Sequence, residues 1–206
     1  TTTTTSTRKE ETVRWSTKEE QMQYMRRAIE LANEAVALGA GPYGALIVDP
    51  MTKSIVAEGL NHATKNPIWH GEIAAISNFS NTLRANVTVY DVAFRYELYT
   101  TAEPCVMCMG AIEWSGFGRV IFGTDIPFIE SQGEKQINIR AEDVAKHAGI
   151  HNITLVGGVL SNETNLLYES SSGIKNHMMH HHGQLEKIPS VGFKNRGGGQ
   201  GGSNKN

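Results

Sequence analysis

The chain has 206 residues, a net charge of −2 and 39% hydrophobic residues, enough for one domain with tails. No run of about 18 apolar residues occurs, which excludes a membrane-spanning helix. The charge is divided, with +4 on residues 172–206 and −6 on the remainder, so the main body has no excess of Lys and Arg for a large phosphate-binding face.

Residues 1–7 are only Thr and Ser, and residues 197–206 only Gly, Gln, Ser, Asn and Lys. Neither end buries enough apolar surface to order itself. Residues 1–15 are therefore expected to be a loosely ordered N-terminal segment. Residues 16–170 are expected to form the domain, and 171–206 a Ser-, His- and Gly-rich basic tail. The chain opens on Thr1, so we expect that a segment preceded it; no signal-peptide pattern stands in the residues given.

Ser16-Thr17-Lys18-Glu19 fits a capping box. Behind it, Met22, Met25, Ile29, Ala32 and Val36 recur at three- and four-residue steps, predicting an amphipathic helix that stops at Gly39. Ala45 to Val48 reads as a buried strand, Asp49 to Lys53 as a turn and Ser54 to Gly59 as the returning strand. A polar loop, Asn61 to Trp69, leads into a helix from His70 to Leu83, whose Ile73, Ile76, Phe79 and Leu83 share a face. Glu97 to Thr101 is expected as a strand, Cys105 to Ser115 as a helix and Val120 to Gly123 as a strand. Thr124 to Gln136 reads as a loop, Arg140 to His147 as a helix, Ile153 to Val156 as a strand and Ser161 to Tyr168 as a last helix. Strands alternating with helices imply a layered α/β domain.

Two short motifs start helices in this scheme: His70-Gly71-Glu72 and Pro104-Cys105-Val106-Met107-Cys108. One imidazole and two thiolates make three ligands of a tetrahedral zinc ion, with the fourth position open, which is the catalytic arrangement. Cys105 and Cys108 are the chain's only cysteines, so a structural site of three or four cysteines cannot form within one chain. A helix starting at Cys105 favours the thiolate form, and Pro104 suits that entry. Glu72, two residues after His70, is placed to take a proton from water at the metal and pass it to a leaving amine, as a general acid/base. Gly71 between them is expected to let the backbone pass close to a substrate. A redox dithiol at Cys105 and Cys108, or a zinc site kept for structure alone, also fits parts of this pattern.

The combination of H-x-E with P-C-x-x-C resembles the cytidine deaminase superfamily. The resemblance lies nearest the branch that holds yeast-type cytosine deaminase, bacterial guanine deaminase and tRNA adenosine deaminase. It runs from Glu20 to Gly158 and is carried by Gly41-Pro42-Tyr43-Gly44-Ala45, Asn61, His70-Gly71-Glu72, Glu103 to Ile112, and Gly118 to Gly123. It implies a three-layer fold, a five-stranded mixed sheet between helices, usually in a homodimer. It implies zinc (Zn2+) on His70, Cys105 and Cys108, with Glu72 catalytic. By the same resemblance, Asn61 bonds a substrate ring, Tyr43 and Trp114 line a purine-type pocket, and Phe128 before Gly133-Glu134-Lys135 matches a lid of the cytosine type.

The activity so implied is hydrolytic deamination of a free nucleobase or nucleoside, a small-molecule substrate, with nucleic acid a less favoured partner and no membrane. The alternatives are a tRNA-specific adenosine deaminase and a non-catalytic zinc-binding protein, the last drawing on the tract His177, His180, His181 and His182. With both cysteines assigned to metal, nothing marks an oxidising compartment, and a cytoplasmic location is expected.

Overall fold

A computed structural model describes residues 13–169. Residues 1–12 of the predicted N-terminal segment and all of the predicted 171–206 tail, with its His-rich tract, lie outside the described residues. Trp15, assigned from sequence to the N-terminal segment, lies against Gly118, where a Cβ would come within 2.7 Å of its ring.

The first helix, α1, spans Lys18–Ala37. Its capping box is one residue later than the sequence suggests: Thr17 is the N-cap, and Glu20 returns the bond to the Thr17 N–H at 2.9 Å. Ser16 and Thr17 both satisfy the S/T-x-x-E pattern, but the Ser16 hydroxyl is taken by the Glu97 carboxylate, which leaves Thr17 to cap. The buried stripe is Gln21, Met25, Ala28, Leu31, Ala32 and Ala35, at helical period.

Two strands follow, β1 (Gly44–Asp49) and β2 (Ser54–Leu60), then α2 (Gly71–Thr82). A one-turn helix, α3 (Val89–Val92), and a 3-10 turn (Ala93–Arg95) lead into β3 (Glu97–Ala102). Next come α4 (Val106–Ser115), β4 (Arg119–Thr124), α5 (Ile126–Ser131), α6 (Ala141–Ala148) and β5 (Thr154–Val156). The described chain ends in α7 (Ser161–Thr164) and a 3-10 turn (Asn165–Leu167). The segment before β3, for which the sequence suggests no element, holds a short helix. Two expectations are corrected. The Thr124–Gln136 stretch is not all loop, because Asp125 caps α5 by accepting the Phe128 N–H at 2.9 Å. The last predicted helix divides into one α turn and one 3-10 turn.

The sheet is five-stranded and mixed, in the order β2-β1-β3-β4-β5. β1 runs antiparallel to both β2 and β3, whereas β3, β4 and β5 are parallel. The central strands β1, β3 and β4 are buried on both faces and mostly apolar, with Glu97, Thr100, Thr101 and Thr124 as buried polar exceptions. Period-2 alternation divides them. Ala45, Ile47, Leu98 and Val120 pack with Phe79, Met109 and Ile112 of α2 and α4. Leu46, Val48, Tyr99 and Ile121 pack with Met25, Ala28 and Leu31 of α1. The result is the expected three-layer arrangement.

Strand direction then positions the site. Ala45 pairs with Thr100, Gly44 with Leu60 and Ala102 with Thr124. The start of β1 and the ends of β2, β3 and β4 therefore meet at one end of the sheet. The parallel strands β3 and β4 end there, and ligands of α/β sheets gather outside the carboxyl ends of strands.

Candidate zinc and catalytic site

Both motifs sit at that end of the sheet. His70 is the N-cap of α2 and Cys105 the N-cap of α4. Each takes an extended backbone, and neither side chain is spent on capping. The helices thus present their first residues to one point. Gly71 has a different role from the one expected. Its Cα faces β1, where a Cβ would stand 3.1 Å from the Tyr43 carbonyl oxygen and 3.3 Å from the Ala45 nitrogen. The missing side chain lets α2 pack onto β1.

His70 Nδ1 lies 3.7 Å from Cys105 Sγ and 3.6 Å from Cys108 Sγ. A tetrahedral ion with zinc–nitrogen and zinc–sulfur bonds of usual length separates such ligands by about 3.6 Å. The three ligand atoms lie within 4.8 Å of one another, and among the described residues they form the one such group. Distance and donor type both fit zinc. The Cys105 thiol is pulled down to about 4, first by its hydrogen bond with Cys108 and then by the His70 imidazole, against the cost of burial. Cys108, fully buried, is pushed up by sharing that proton.

Glu72 is 5% exposed and lies on the first turn of α2. Its Oε1 accepts the Thr100 hydroxyl at 3.2 Å. Burial raises the carboxyl above its ordinary value, and the Cys105 thiolate raises it further. A carboxylate so placed, beside a nitrogen–sulfur–sulfur donor set, can carry protons between water and a bound ring.

The four residues assigned to substrate by resemblance fall in different places. Tyr43 stacks on the His70 ring with centroids 6.5 Å apart and planes 10° apart. Its phenol is pushed up by burial and by Glu134, and it accepts a bond from Gln136 at 3.4 Å. Phe128 packs in the same cluster as Tyr43, with Ala102, Ile129 and Tyr168. Asn61 is 5% exposed; its amide donates to the Gly41 carbonyl at 3.3 Å and accepts the Ala63 N–H at 3.0 Å, which leaves one donor and one lone pair. Trp114 is not brought to these residues within one chain. It is 73% exposed near the far end of α4, roughly 13 Å along the helix from Cys105.

The structure adds residues to which the sequence reading gave no role. Thr100 binds Glu72. The Tyr168 hydroxyl hydrogen-bonds with the Pro42 carbonyl, which accepts, and with the Thr101 hydroxyl, both at 3.1 Å, and its ring lies 5.5 Å from that of Tyr43. Glu103 accepts bonds from Arg140, Ala141 and Ile126. The available signal was positional: Thr100 and Glu103 flank the end of the strand that delivers Cys105. A cavity of about 750 Å³ lies elsewhere, between α1, β2 and α2, lined by Leu31, Leu60, His62, Lys65 and Trp69 and by none of the zinc-ligand candidates.

Residues 18–124 match the model of the cytidine and deoxycytidylate deaminase zinc-binding region. The probable cytosine deaminase of Schizosaccharomyces pombe is 33% identical over 150 residues, covering 70% of this chain and 88% of that protein. Bacillus subtilis guanine deaminase is 41% identical over 105 residues, which span 50% of this chain and 63% of its own length. A tRNA-specific adenosine deaminase of Haemophilus influenzae is 42% identical over 101 residues, 48% of this chain and 55% of that protein. The solved guanine deaminase of Nitrosomonas europaea superposes with a TM-score of 0.61 at 23% identity, over 80% of this chain and 86% of that one, and shares the fold. With the matched region enclosing His70, Cys105 and Cys108, the chain belongs to the cytidine and deoxycytidylate deaminase family of zinc-dependent hydrolases acting on C–N bonds.

Proposed function

We propose that this chain deaminates a free nucleobase or nucleoside, with Glu72 as the proton carrier. The observation that carries the reading is the Glu72 carboxylate, buried beside three side chains spaced for zinc at the end of the sheet. Zinc on His70, Cys105 and Cys108 supplies acidification of water to near neutral pH. Glu72 takes a proton from water and delivers it to a ring nitrogen as the water oxygen bonds the amino-bearing carbon; a second proton, from that oxygen, passes through Glu72 to the amine, and the C–N bond breaks to release ammonia. Thr100 holds one Glu72 oxygen in place, leaving the other for transfer. Tyr43 and Phe128 wall the site and exclude water from the ring, and Asn61 offers its remaining donor and lone pair to the ring edge. A homodimer is part of the reading, and the exposed Trp114, Tyr90 and Phe94 provide surface for it.

A second reading, deamination of adenosine in tRNA, draws on the likeness to the H. influenzae protein and on the basic residues of 172–206. A panel of cytosine, cytidine, guanine, guanosine, adenine, adenosine and unmodified tRNA separates the two. Product formation from one free base or nucleoside, insensitive to salt, supports the first. Activity on tRNA alone, falling steeply with salt as phosphate contacts require, replaces it with the second.

A further inference from the structure

Glu103 stands two residues before Cys105 and is 4% exposed. Its carboxylate accepts the Arg140 Nε–H at 2.8 and 2.9 Å, shared between the two oxygens. Oε1 also accepts the Ala141 N–H at 2.9 Å, and Oε2 the Ile126 N–H at 3.0 Å. The Glu103 N–H in turn donates to the Thr124 carbonyl at 2.7 Å. Ile126 opens α5 and Ala141 opens α6, while Cys105 caps α4. One side chain therefore joins the starts of three helices, and one of those starts carries two of the three zinc-ligand candidates.

An ion pair such as Glu103–Arg140, with the carboxylate buried and the guanidinium half-buried, is a poor source of net stability, because desolvation of the charge offsets much of the attraction. Its value lies in direction. Every donor here points at an acceptor-only group, so the turn before Cys105 has one arrangement that satisfies all of them. An amide would turn one of the two oxygens into a donor facing an N–H.

We propose that Glu103 is a positioning residue for the metal centre, anchoring the Cys105 turn to the starts of α5 and α6 with Arg140 as its counter-charge. The proposal rests on the zinc reading of the site. Groups that orient metal ligands typically alter metal affinity by about 10- to 100-fold when removed.

The test measures zinc affinity by chelator competition on the full chain, with the thermal midpoint recorded for each variant. Glu103→Gln is expected to weaken zinc by about tenfold, and Arg140→Gln to act in the same direction. Glu97→Gln is the control. It alters a buried carboxylate held by Ser16, Tyr99 and Arg119, away from the Cys105 turn, and should leave zinc affinity unchanged even where it lowers the midpoint as much. Unchanged affinity in Glu103→Gln overturns the proposal. So does a loss in all three variants that merely follows their midpoints. Should Glu103→Gln fail to fold, Arg140→Gln against Glu97→Gln makes the same comparison. Cys105→Ala separates the two levels of the argument. If it keeps its zinc, the zinc reading and the proposal fall together. If it releases zinc while Glu103→Gln binds normally, only the positioning role falls.

Discussion

Thr100 donates its hydroxyl to Glu72 Oε1 at 3.2 Å, joining the inner face of β3 to the first turn of α2. Both residues are buried, at 1% and 5% exposure. In such surroundings a single hydrogen bond fixes which carboxylate oxygen is free to move protons. Thr100→Val keeps the shape and deletes the donor. It should slow turnover by about tenfold, the weight of one hydrogen bond to a charged group, with zinc content unchanged. Wild-type turnover in the variant would remove Thr100 from the machinery.

Zinc removal should lower the thermal midpoint, because the ligands lie at the starts of two core helices and metal binding to the folded state stabilises it. The midpoint should rise with added zinc in the unaltered protein and stay flat in His70→Ala. Parallel responses in both proteins would place the metal elsewhere.

Tyr168 closes the described domain behind Tyr43. Tyr168→Phe deletes the bonds to the Pro42 carbonyl and Thr101 Oγ1. The expected cost is about 1 kcal/mol in urea unfolding, with a higher KM because Tyr43 loses its support. A stability loss with no change in KM would confine Tyr168 to the core.

Two bonds from Arg27, at 2.7 and 2.9 Å, hold the Glu58 carboxyl below its ordinary value of 4.5. A carboxyl depressed in the folded state contributes stability above its unfolded pKa and loses it as pH falls through the folded one. Glu58→Gln should therefore trail the unaltered protein at neutral pH and draw level with it in acid, below 4.5. The side chain is part exposed, so solvent keeps the difference small. A gap independent of pH would show that the pair contributes by packing alone.

The metal motif, α1, the central strands and α2 were legible in the sequence because each repeats a local pattern: helical period, an apolar run, or ligand spacing. What stayed hidden depended on long-range partners. The choice of Thr17 over Ser16 as cap follows from Glu97, 81 residues beyond Ser16. α5 is too short for a periodic stripe, and Pro127 and Gly133 read as loop signals, although Pro is at home in the first turn of a helix. Glu103 stood in plain view beside Cys105, but its partners lie 23 to 38 residues away and no local pattern points to them. Trp114 is assigned by resemblance alone, and no local pattern shows that it stands exposed near the far end of α4.

The most direct test is ammonia release by zinc-loaded protein on its best free base or nucleoside, beside Glu72→Ala shown by metal analysis to hold the same zinc. The account predicts steady release by the unaltered chain and a loss of at least about 100-fold in the variant, the scale of one general acid/base. Equal release by both proteins, or none by a fully zinc-loaded wild type across the substrate panel, would contradict it.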